Sequence, residues 1–370
     1  MMRNKRKCVC ALFLLVITTV TIFSITRSDL YQSTLEFPVA TNKERIVPTL
    51  PPPVDKYVDQ LLRQNNSKTD FVDDSPAEDL KRKIRVLCLI LTTKQNLLTR
   101  ARVVNATWAK RCSMYFFVIS FQNNRTASSQ NNITDIIATP FKETREMLVY
   151  KVQYALMYVY NNFIDQFDWV LKADDDTYII MENLRYLLSQ YSSSEPGYLG
   201  YHFNMYLQNS GYMSGGAGYV ISNRGVRRLA EFGLTVDGAC PITKSYLIPE
   251  VSEDFEIGKC LKIAGVPVLG SVDSLNRETF HPYPISQYLL ESLPEYLYEW
   301  SNNKPETGVD CCSAFSISFH YMKPGLMLLV DHLLYRTLVH GRGAGKDPRN
   351  AFKTGEVKDM KTPKIIINGV

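Results

Sequence analysis

Three consecutive aspartates, Asp174, Asp175 and Asp176, follow an apolar run in the segment "FDWVLKADDDTY". Neighbouring carboxylates repel one another, so the triplet needs a physical reason. Hard divalent cations such as Mg²⁺ and Mn²⁺ prefer oxygen ligands, and a site that also holds a diphosphate supplies only one or two carboxylates itself. On an extended segment Asp174 and Asp176 would face one side, with Asp175 pointing away. The spacing favours a metal and nucleotide site over the alternative, a solvated turn whose last acid caps the next helix.

The segments around the triplet alternate between strand and helix patterns. Apolar runs in "IRVLCLIL", "MYFFVISF" and "DWVLKA" predict strands, and apolar residues three and four apart in "NLLTRARVVNATWAKRC" and "TREMLVYKVQYALMYVYNNF" predict helices. This order predicts an α/β fold with a mostly parallel, twisted sheet flanked by helices. In such sheets ligands bind beyond the carboxyl ends of the strands, which is where the triplet lies.

The composition is that of a folded protein without a nucleic-acid surface. The chain has 370 residues, of which 45% are hydrophobic, and this is enough to build a sizeable core. The formal net charge of +5 is modest for this length. Basic residues are scattered except at the N-terminus, so we expect no nucleic-acid partner.

The N-terminal sequence predicts a membrane anchor. Residues 1–7 contain four basic side chains and would form a cytoplasmic tail, and the uncharged run 8–26 nearly spans a bilayer core of roughly 30 Å. A cleaved signal peptide is the alternative. Residues 27–82, which are polar and contain prolines, predict a stem. We then expect a single lumenal catalytic domain at 83–345 and a C-terminal tail at 346–370.

The cysteines and glycosylation motifs agree with a lumenal address. Outside the membrane segment there are six cysteines: Cys88, Cys112, Cys240, Cys260, Cys311 and Cys312. An even number in an oxidising compartment predicts disulfides, although the sequence does not choose among the pairings and a buried thiol is the alternative for Cys88. Four Asn-x-Ser/Thr motifs begin at Asn65, Asn105, Asn124 and Asn132.

Five separated motifs occur in one order: "DWVLKADDDTY", "GYMSGGAGYVIS", "SEDFEIGKC", "ETFHP" and "CCSAFSISFHY". Together with "ATWAKRC", they resemble the core 1 β1,3-galactosyltransferases, which belong to the fringe-like β1,3-glycosyltransferases with a GT-A fold. The resemblance runs from about Arg85 to about Tyr321. It implies a Golgi membrane enzyme that moves galactose from UDP-galactose to GalNAc on Ser or Thr of glycoproteins, with inversion. It also implies a possible homodimer.

The resemblance further implies a metal site and a catalytic base. Asp174 and Asp176 match the Mn²⁺-associated aspartates, and His320 in "SFHY" matches the metal-binding histidine. The alternative for His320 is a core histidine bonded to a backbone carbonyl. Asp254 in "VSEDFEIGKC" matches the general base, and its neighbour Glu253 is the other candidate. Both acids could instead serve the N-terminus of a helix.

Seven residues are candidates for binding the nucleotide sugar or its acceptor: Asp174, Asp175, Gly215, Gly216, Arg145 and Lys151 for the donor, with Trp300 beside the acceptor in the family. Glycines let a backbone approach a ligand closely or take positive φ, although a tight turn explains them equally well. The two cations would hold the diphosphate or simply lie on a solvated helix face. Trp300 would stack on a sugar or fill the core.

Some features leave the function open. Tyr150 stands where the family has tryptophan, and "QNNRTASSQNNITDIIAT" is a polar stretch particular to this chain. A non-catalytic chaperone or carbohydrate-binding paralogue with this fold is one alternative, and a β1,3-transferase that uses another UDP-sugar is the second. The intact aspartate triplet argues against the chaperone.

Overall fold

The strand β1 (Val86–Leu91) is buried on both faces, and its side chains divide between two apolar cores. Val86, Cys88 and Ile90 belong to one core, and the alternate residues belong to the other. Because side chains along a strand alternate between faces, this division places one core on each side of the sheet. The computed structural model describes residues 49–63, 74–120, 133, 135–205, 207, 210–234, 240, 252–337 and 339.

The central sheet has six strands in the order β3-β2-β1-β4-β9-β6. The first four are parallel, and β9 lies antiparallel between β4 and β6. This confirms the predicted α/β fold with a mostly parallel sheet. Besides β1, its strands are β2 (Met114–Ser120), β3 (Ile136–Thr139), β4 (Trp169–Asp174), β6 (Tyr198–Gly200) and β9 (Tyr219–Ser222).

Two small sheets complete the strands. One has the order β10-β11-β5, and the other pairs β7 with β8. Their strands are β5 (Tyr178–Ile179), β7 (His202–Phe203), β8 (Tyr212–Met213), β10 (Phe280–His281) and β11 (Ser318–Phe319).

The described helices lie before, between and after these strands. Both helices predicted from the apolar spacing between strands form, although the first is a short α-helix flanked by 3₁₀ turns. The α-helices are α1 (Pro52–Arg63), α2 (Ser75–Lys83), α3 (Arg100–Ala106), α4 (Leu148–Phe163), α5 (Met181–Leu188), α6 (Asn223–Arg228), α7 (Glu253–Ile263), α8 (Ile285–Leu289), α9 (Glu295–Trp300) and α10 (Pro324–Tyr335). A π-helical turn follows α6 at Leu229–Leu234.

The predicted boundary between stem and domain at residue 83 is wrong for the part of the predicted stem, residues 27–82, that the structure describes. Helix α1 buries Val58 and Leu61 in the same core as β1, and Leu50 joins them. On the polar side of α1, Arg102 of α3 forms ion pairs with Asp55 and Asp59. The apolar residues of this stretch are therefore part of the folded domain, which begins no later than Leu50.

Several other predictions fall outside the described residues. These include the anchor at 8–26, the tail at 346–370 and three of the four glycosylation motifs. Within the described ranges, no helix combines the length and the apolar character needed to cross a bilayer. The remaining glycosylation motif begins at Asn105, which is buried and accepts a hydrogen bond from the Tyr115 hydroxyl at 2.7 Å. In the folded protein this asparagine is closed to a glycosylating enzyme.

The six cysteines form three disulfides. These join Cys88 to Cys112, Cys240 to Cys260, and the adjacent Cys311 and Cys312. Cys88 is thus bonded to a second cysteine instead of being a free buried thiol. The Cys88–Cys112 bond fixes β1 to the turn that leads into β2.

Replacing Leu61 with alanine tests whether α1 belongs to the domain. We expect Leu61→Ala to lower the free energy of unfolding by about 2–4 kcal/mol, because it removes buried methyl groups and leaves a cavity. The matched control is Gln60→Ala on the exposed side of the same helix, for which we expect a change within about 0.5 kcal/mol. Chemical denaturation of both variants measures the difference. Equal stabilities would mean that α1 contributes nothing to the fold.

Candidate active site

The candidate site forms where β4 ends, because the pairing of two short strands brings distant residues there. Strand β5 pairs with β11 antiparallel, with Phe319 opposite Tyr178. Asp176 precedes β5 by two residues, and His320 directly follows β11. A backbone hydrogen bond of 2.8 Å from Met322 N–H to the Asp176 carbonyl continues this pairing. The small sheet thus places His320 beside an aspartate that is 144 positions earlier in the chain.

Asp174, Asp176 and His320 form a cluster that can hold a metal ion. One ligand atom from each of the three lies within 4.8 Å of the others, and all three side chains are partly buried. His320 Nε2 lies 3.3 Å from Asp176 Oδ1. Carboxylate oxygens together with imidazole nitrogen are ligands that Mn²⁺ and related divalent cations accept.

The other ring nitrogen of His320 indicates how this cluster would bind a cation. His320 Nδ1 lies 3.2 Å from the Pro282 carbonyl oxygen, which can only accept, so Nδ1 carries the proton of that hydrogen bond. In the neutral ring, Nε2 then turns a lone pair toward the Asp176 carboxylate. Two electron-rich atoms at this distance require a cation or a proton between them, so the donors fit a metal ion. A backbone carbonyl bonds His320, as the core-histidine alternative supposed, but its second nitrogen faces the site.

Asp175 points away from this cluster, as the alternation of side chains predicted. Its carboxylate accepts hydrogen bonds from the Thr92 hydroxyl at 2.6 Å and from the Asn96 amide at 2.9 Å. Burial raises the pKa of Asp175, and these hydrogen bonds offset part of that rise. Asp175 therefore fixes the triplet to the end of β1, and it does not line the pocket described below.

Arg100 lies against the triplet from helix α3. Its Nη1 atom lies 3.0 Å from Asp176 Oδ2 and 3.4 Å from Asp175 Oδ1. Burial would raise the pKa of Asp176, but His320, when its Nε2 carries a proton, and Arg100 outweigh that effect and lower the pKa below its ordinary value. Asp176 is thus held as a carboxylate. The predicted alternative of a helix-capping acid does not occur, because the residue before α5 is Ile180.

Helix α7 brings the second pair of acids to the same place, and the two acids differ in exposure. Asp254 is partly exposed, and its Oδ2 accepts a 2.8 Å hydrogen bond from Gly215 N–H. Its Oδ1 accepts from Phe255 N–H and from the Ser252 hydroxyl. Glu253 is buried, and its Oε1 accepts a 2.5 Å hydrogen bond from the Tyr219 hydroxyl. Of the two, Asp254 is the carboxylate that an incoming hydroxyl can reach.

Lys172, which is not among the predicted site residues, lies between the two acidic groups. Its side chain is 1% exposed, and Nζ lies 2.9 Å from Asp174 Oδ1 and 3.1 Å from Glu253 Oε2. Burial would lower the pKa of Lys172, but these two carboxylates raise it well above its ordinary value. Burial raises the pKa of Glu253, and Lys172 opposes that rise. A lysine inside an apolar strand, two residues before an acidic triplet, was the available signal.

The glycine segment serves two purposes at different positions. Gly211 and Gly218 have φ of +59° and +81°, a region that other residues rarely adopt. Gly215 and Gly216 instead allow close approach. A Cβ at Gly216 would lie 2.2 Å from His320 Cε1, and one at Gly215 would lie 3.0 Å from Glu253 Oε2. The backbone at these two glycines thus lies close to the His320 and Glu253 side chains, whereas its predicted approach to a ligand remains a prediction.

An open pocket of about 420 Å³ joins these groups. Its walls include Asp174, His320, Glu253, Asp254, Gly215, Gly216, Arg145 and Trp300 from the predicted set, together with Lys172, Phe203, Tyr212 and Tyr296. On one wall, the Trp300 ring packs against Tyr296 with a centroid distance of 4.8 Å. Asp254 and two members of the metal cluster, Asp174 and His320, thus face a single cavity that has an aromatic side.

Lys151 is the predicted donor-binding residue whose placement differs most from expectation. It is 2% exposed, and its ammonium donates to the Thr92 carbonyl at 2.7 Å and to Glu143 at 2.9 Å. It does not line the pocket. Helix α4 carries Lys151 on the face that packs on the sheet, so neither diphosphate binding nor a solvated helix face describes it.

Comparison with known proteins places this geometry in a family. The Fringe-like family model matches residues 82–320, a span that contains the aspartate triplet, Asp254 and His320. The chain is also 36% identical over 273 residues to glycoprotein-N-acetylgalactosamine 3-beta-galactosyltransferase 1 of Xenopus laevis, covering 73% of this chain and 71% of that protein.

The chain belongs to the Fringe-like glycosyltransferase family. Within that family it is a member of the core 1 β1,3-galactosyltransferases, as the sequence motifs predicted.

More distant relatives match shorter parts of the transferase. A beta-1,3-glucosyltransferase of Mus musculus is 26% identical over 51% of this chain and 36% of its own length. Chondroitin sulfate synthase 3 of Homo sapiens is 25% identical over 67% of this chain, which spans only 28% of that protein. A solved galactosyltransferase structure with donor and acceptor sugar analogues aligns with a TM-score of 0.37 at 11% identity, over 69% of this chain and 98% of that one.

Replacing Gly216 with alanine tests the placement of His320. We expect Gly216→Ala to weaken divalent-metal binding at least about tenfold, because the new methyl group displaces the imidazole from the two aspartates. Calorimetric titration with Mn²⁺ measures the affinity. The control is Gly325→Ala, where no atom lies within 4 Å of an added Cβ, and it should bind the metal as the wild type does. Unchanged affinity in Gly216→Ala would remove His320 from the metal site.

Proposed function

We propose that the transferase moves galactose from UDP-galactose to the 3-hydroxyl of GalNAc linked to Ser or Thr of glycoproteins, inverts the anomeric configuration and depends on Mn²⁺. One observation carries the proposal. Asp174 and His320 of the three-residue cluster line one pocket with the accessible carboxylate of Asp254, and Asp176 lies beside His320, in a chain 36% identical to an enzyme named for this reaction.

On the donor side, the protein supplies ligands and charge. Asp174, Asp176 and His320 would hold Mn²⁺, which when bound acts as a Lewis acid that neutralises negative charge on the nucleotide diphosphate. Arg100 lies 3.0 Å from the Asp176 carboxylate and favours its ionised form, which is the form that binds a cation. Arg145 lines the same pocket and is the candidate cation for the diphosphate. The backbone at Gly215 and Gly216 has no side chain to bar the donor.

On the acceptor side, Asp254 would take the proton of the attacking hydroxyl. Three hydrogen bonds fix its orientation, and only the one from Gly215 reaches Oδ2 within the described residues, which leaves lone-pair capacity for an acceptor. Trp300 and Tyr296 offer aromatic faces to a sugar. A single displacement gives inversion, so the reaction needs no covalent intermediate with the enzyme.

The cellular setting is part of the proposal. The basic tail and the apolar run at 8–26 favour a Golgi type II membrane protein, and the three disulfides suit an oxidising lumen. A homodimer is proposed from the family alone.

A donor and acceptor panel tests the proposed reaction. The lumenal part is incubated with UDP-galactose, UDP-glucose or UDP-GlcNAc and a GalNAc-peptide, and product linkage is determined. We expect β1,3-linked galactose from UDP-galactose only. Transfer from UDP-glucose, the donor type suggested by the mouse relative's name, would support the other-sugar alternative. UDP release no higher than background with every donor would support a chaperone or a carbohydrate-binding protein.

Replacing Asp176 with alanine tests the metal-binding role. We expect Asp176→Ala to abolish both transfer and UDP–Mn²⁺ binding while the fold is retained, because the cluster loses the ligand that faces His320. Activity assays, calorimetry and circular dichroism measure the three properties. An Asp176→Ala variant that still transfers sugar in a Mn²⁺-dependent way would contradict the assignment.

Replacing Asp254 with asparagine tests the base. An amide cannot accept a proton at neutral pH, so we expect transfer at least about a hundredfold slower with UDP binding unchanged. The variant keeps the size of the side chain and its hydrogen bond with Gly215 N–H. Near-normal transfer would exclude Asp254 as the base.

A further inference from the structure

Lys172 occupies a position where a positive charge is hard to place. It lies in the middle of the central sheet, its side chain is 1% exposed, and it is two residues before Asp174 in β4. Residues two apart in a strand face the same side, so the lysine ammonium and the Asp174 carboxylate are directed to one place. Burying a cation is costly unless it is paired and hydrogen-bonded. Lys172 is both.

The three partners of Lys172 belong to two halves of the site. Asp174 Oδ1, at 2.9 Å, belongs to the metal cluster, whereas Glu253 Oε2, at 3.1 Å, belongs to the helix that carries Asp254. The third partner is the Gly215 carbonyl, which accepts from Nζ at 3.2 Å. One ammonium group therefore binds to both sides of the pocket.

Gly215 extends this connection to the proposed base. Its carbonyl accepts from Lys172 and its own N–H donates to Asp254 Oδ2 at 2.8 Å. The link from Asp174 through Lys172 and Gly215 to Asp254 thus consists of polar contacts between 2.8 and 3.2 Å. A shift of the lysine would move the metal ligand and the base relative to each other.

Glu253 has the surroundings of a counter-ion. Both of its oxygens are engaged, one with the Tyr219 hydroxyl and the other with Lys172, and the residue is 5% exposed. A substrate hydroxyl would have to displace one of these partners to reach it. Its carboxylate is placed to balance the charge of Lys172.

We propose that Lys172 is a positioning residue, which holds the metal ligand Asp174 and the base Asp254 at a fixed separation, with Glu253 as its counter-ion. The inference rests on the proposed function, because the base role of Asp254 belongs to it. Misplacing reacting groups by about 1 Å can cost about a hundredfold in rate, so such a link has a measurable consequence.

The double variant Lys172→Met/Glu253→Gln tests this role. Removing both members of a buried charge pair is milder than removing one, so the fold should persist. The readouts are the rate of galactose transfer and the ratio of galactose transferred to UDP released. We expect kcat to fall at least about tenfold, and the ratio to fall as well, because water competes better when the base is out of place. A purely structural role would lower the amount of active protein and leave the ratio unchanged.

The matched control is Lys151→Met/Glu143→Gln. This pair also contains a nearly fully buried lysine, with Nζ 2.9 Å from Glu143 Oε1, but Lys151 does not line the pocket. We expect the control to change thermal stability without changing the ratio. If the Lys172 double variant keeps its ratio and loses less than about twofold in kcat, the inference is overturned.

If the double variant does not fold, the single variant Glu253→Gln tests whether Glu253 is a counter-ion or the base. The amide oxygen can still accept from Lys172, so transfer should remain within about tenfold of wild type. A loss as large as that of Asp254→Asn would make Glu253 the base and overturn the inference. If the wild type transfers no sugar to any acceptor, the proposed function fails and this inference fails with it. If the wild type does transfer sugar, the variants test the inference alone.

Discussion

Repulsion among carboxylates is the constraint on which this site depends. Two acidic groups meet at the pocket: the triplet at the end of β4 and the pair that begins α7. Each of these carboxylates either has partners that stabilise its charge or points away from the pocket. Asp175 turns to the hydroxyl and amide at the end of β1. Asp176 is bonded to Arg100 and faces His320. The remaining repulsion, between Asp174 and Glu253, is offset by Lys172.

The sheet makes these pairings possible because it brings distant parts of the chain to one edge. Strand β4 has β1 on one side and β9 on the other. Residues after β1 therefore contact Asp175, and Tyr219, the first residue of β9, contacts Glu253. The short pairing of β5 with β11 brings His320 to the same edge. Segments that are far apart in sequence thus line the pocket or support the side chains that do, and moving one of them would leave a buried charge without its partner.

The periodic parts of the fold could be predicted from the sequence, and so could the orientation of the triplet. Strands such as Val86–Leu91 and the helix Leu148–Phe163 appear as apolar patterns because burial acts on neighbouring residues. Asp174 and Asp176 follow from the alternation along an extended segment. Strand β9, in contrast, lies within a glycine-rich stretch that suggested only a loop. Its membership of the sheet depends on β4, some fifty residues earlier, which no local pattern reveals.

The partners of the buried charged residues could not be predicted either, because they also depend on distant parts of the chain. Lys172 and Lys151 look alike in sequence, each a single lysine in an apolar element, yet one joins the acids of the pocket and the other binds Glu143 away from it. Likewise, Glu253 and Asp254 are adjacent, and only the position of Tyr219 separates the buried acid from the accessible one. Such roles depend on partners as far as 81 positions away, as Glu253 is from Lys172, and local spacing does not choose between them.

The docking of α1 on the domain has a practical consequence for producing the protein. A shortened chain that starts at residue 83, the boundary suggested by composition, would lack Leu50, Val58 and Leu61 and would leave Arg102 without Asp55 and Asp59. The apolar surface uncovered on α3 would face water and favour aggregation during expression. Soluble secreted forms should therefore begin upstream of Leu50.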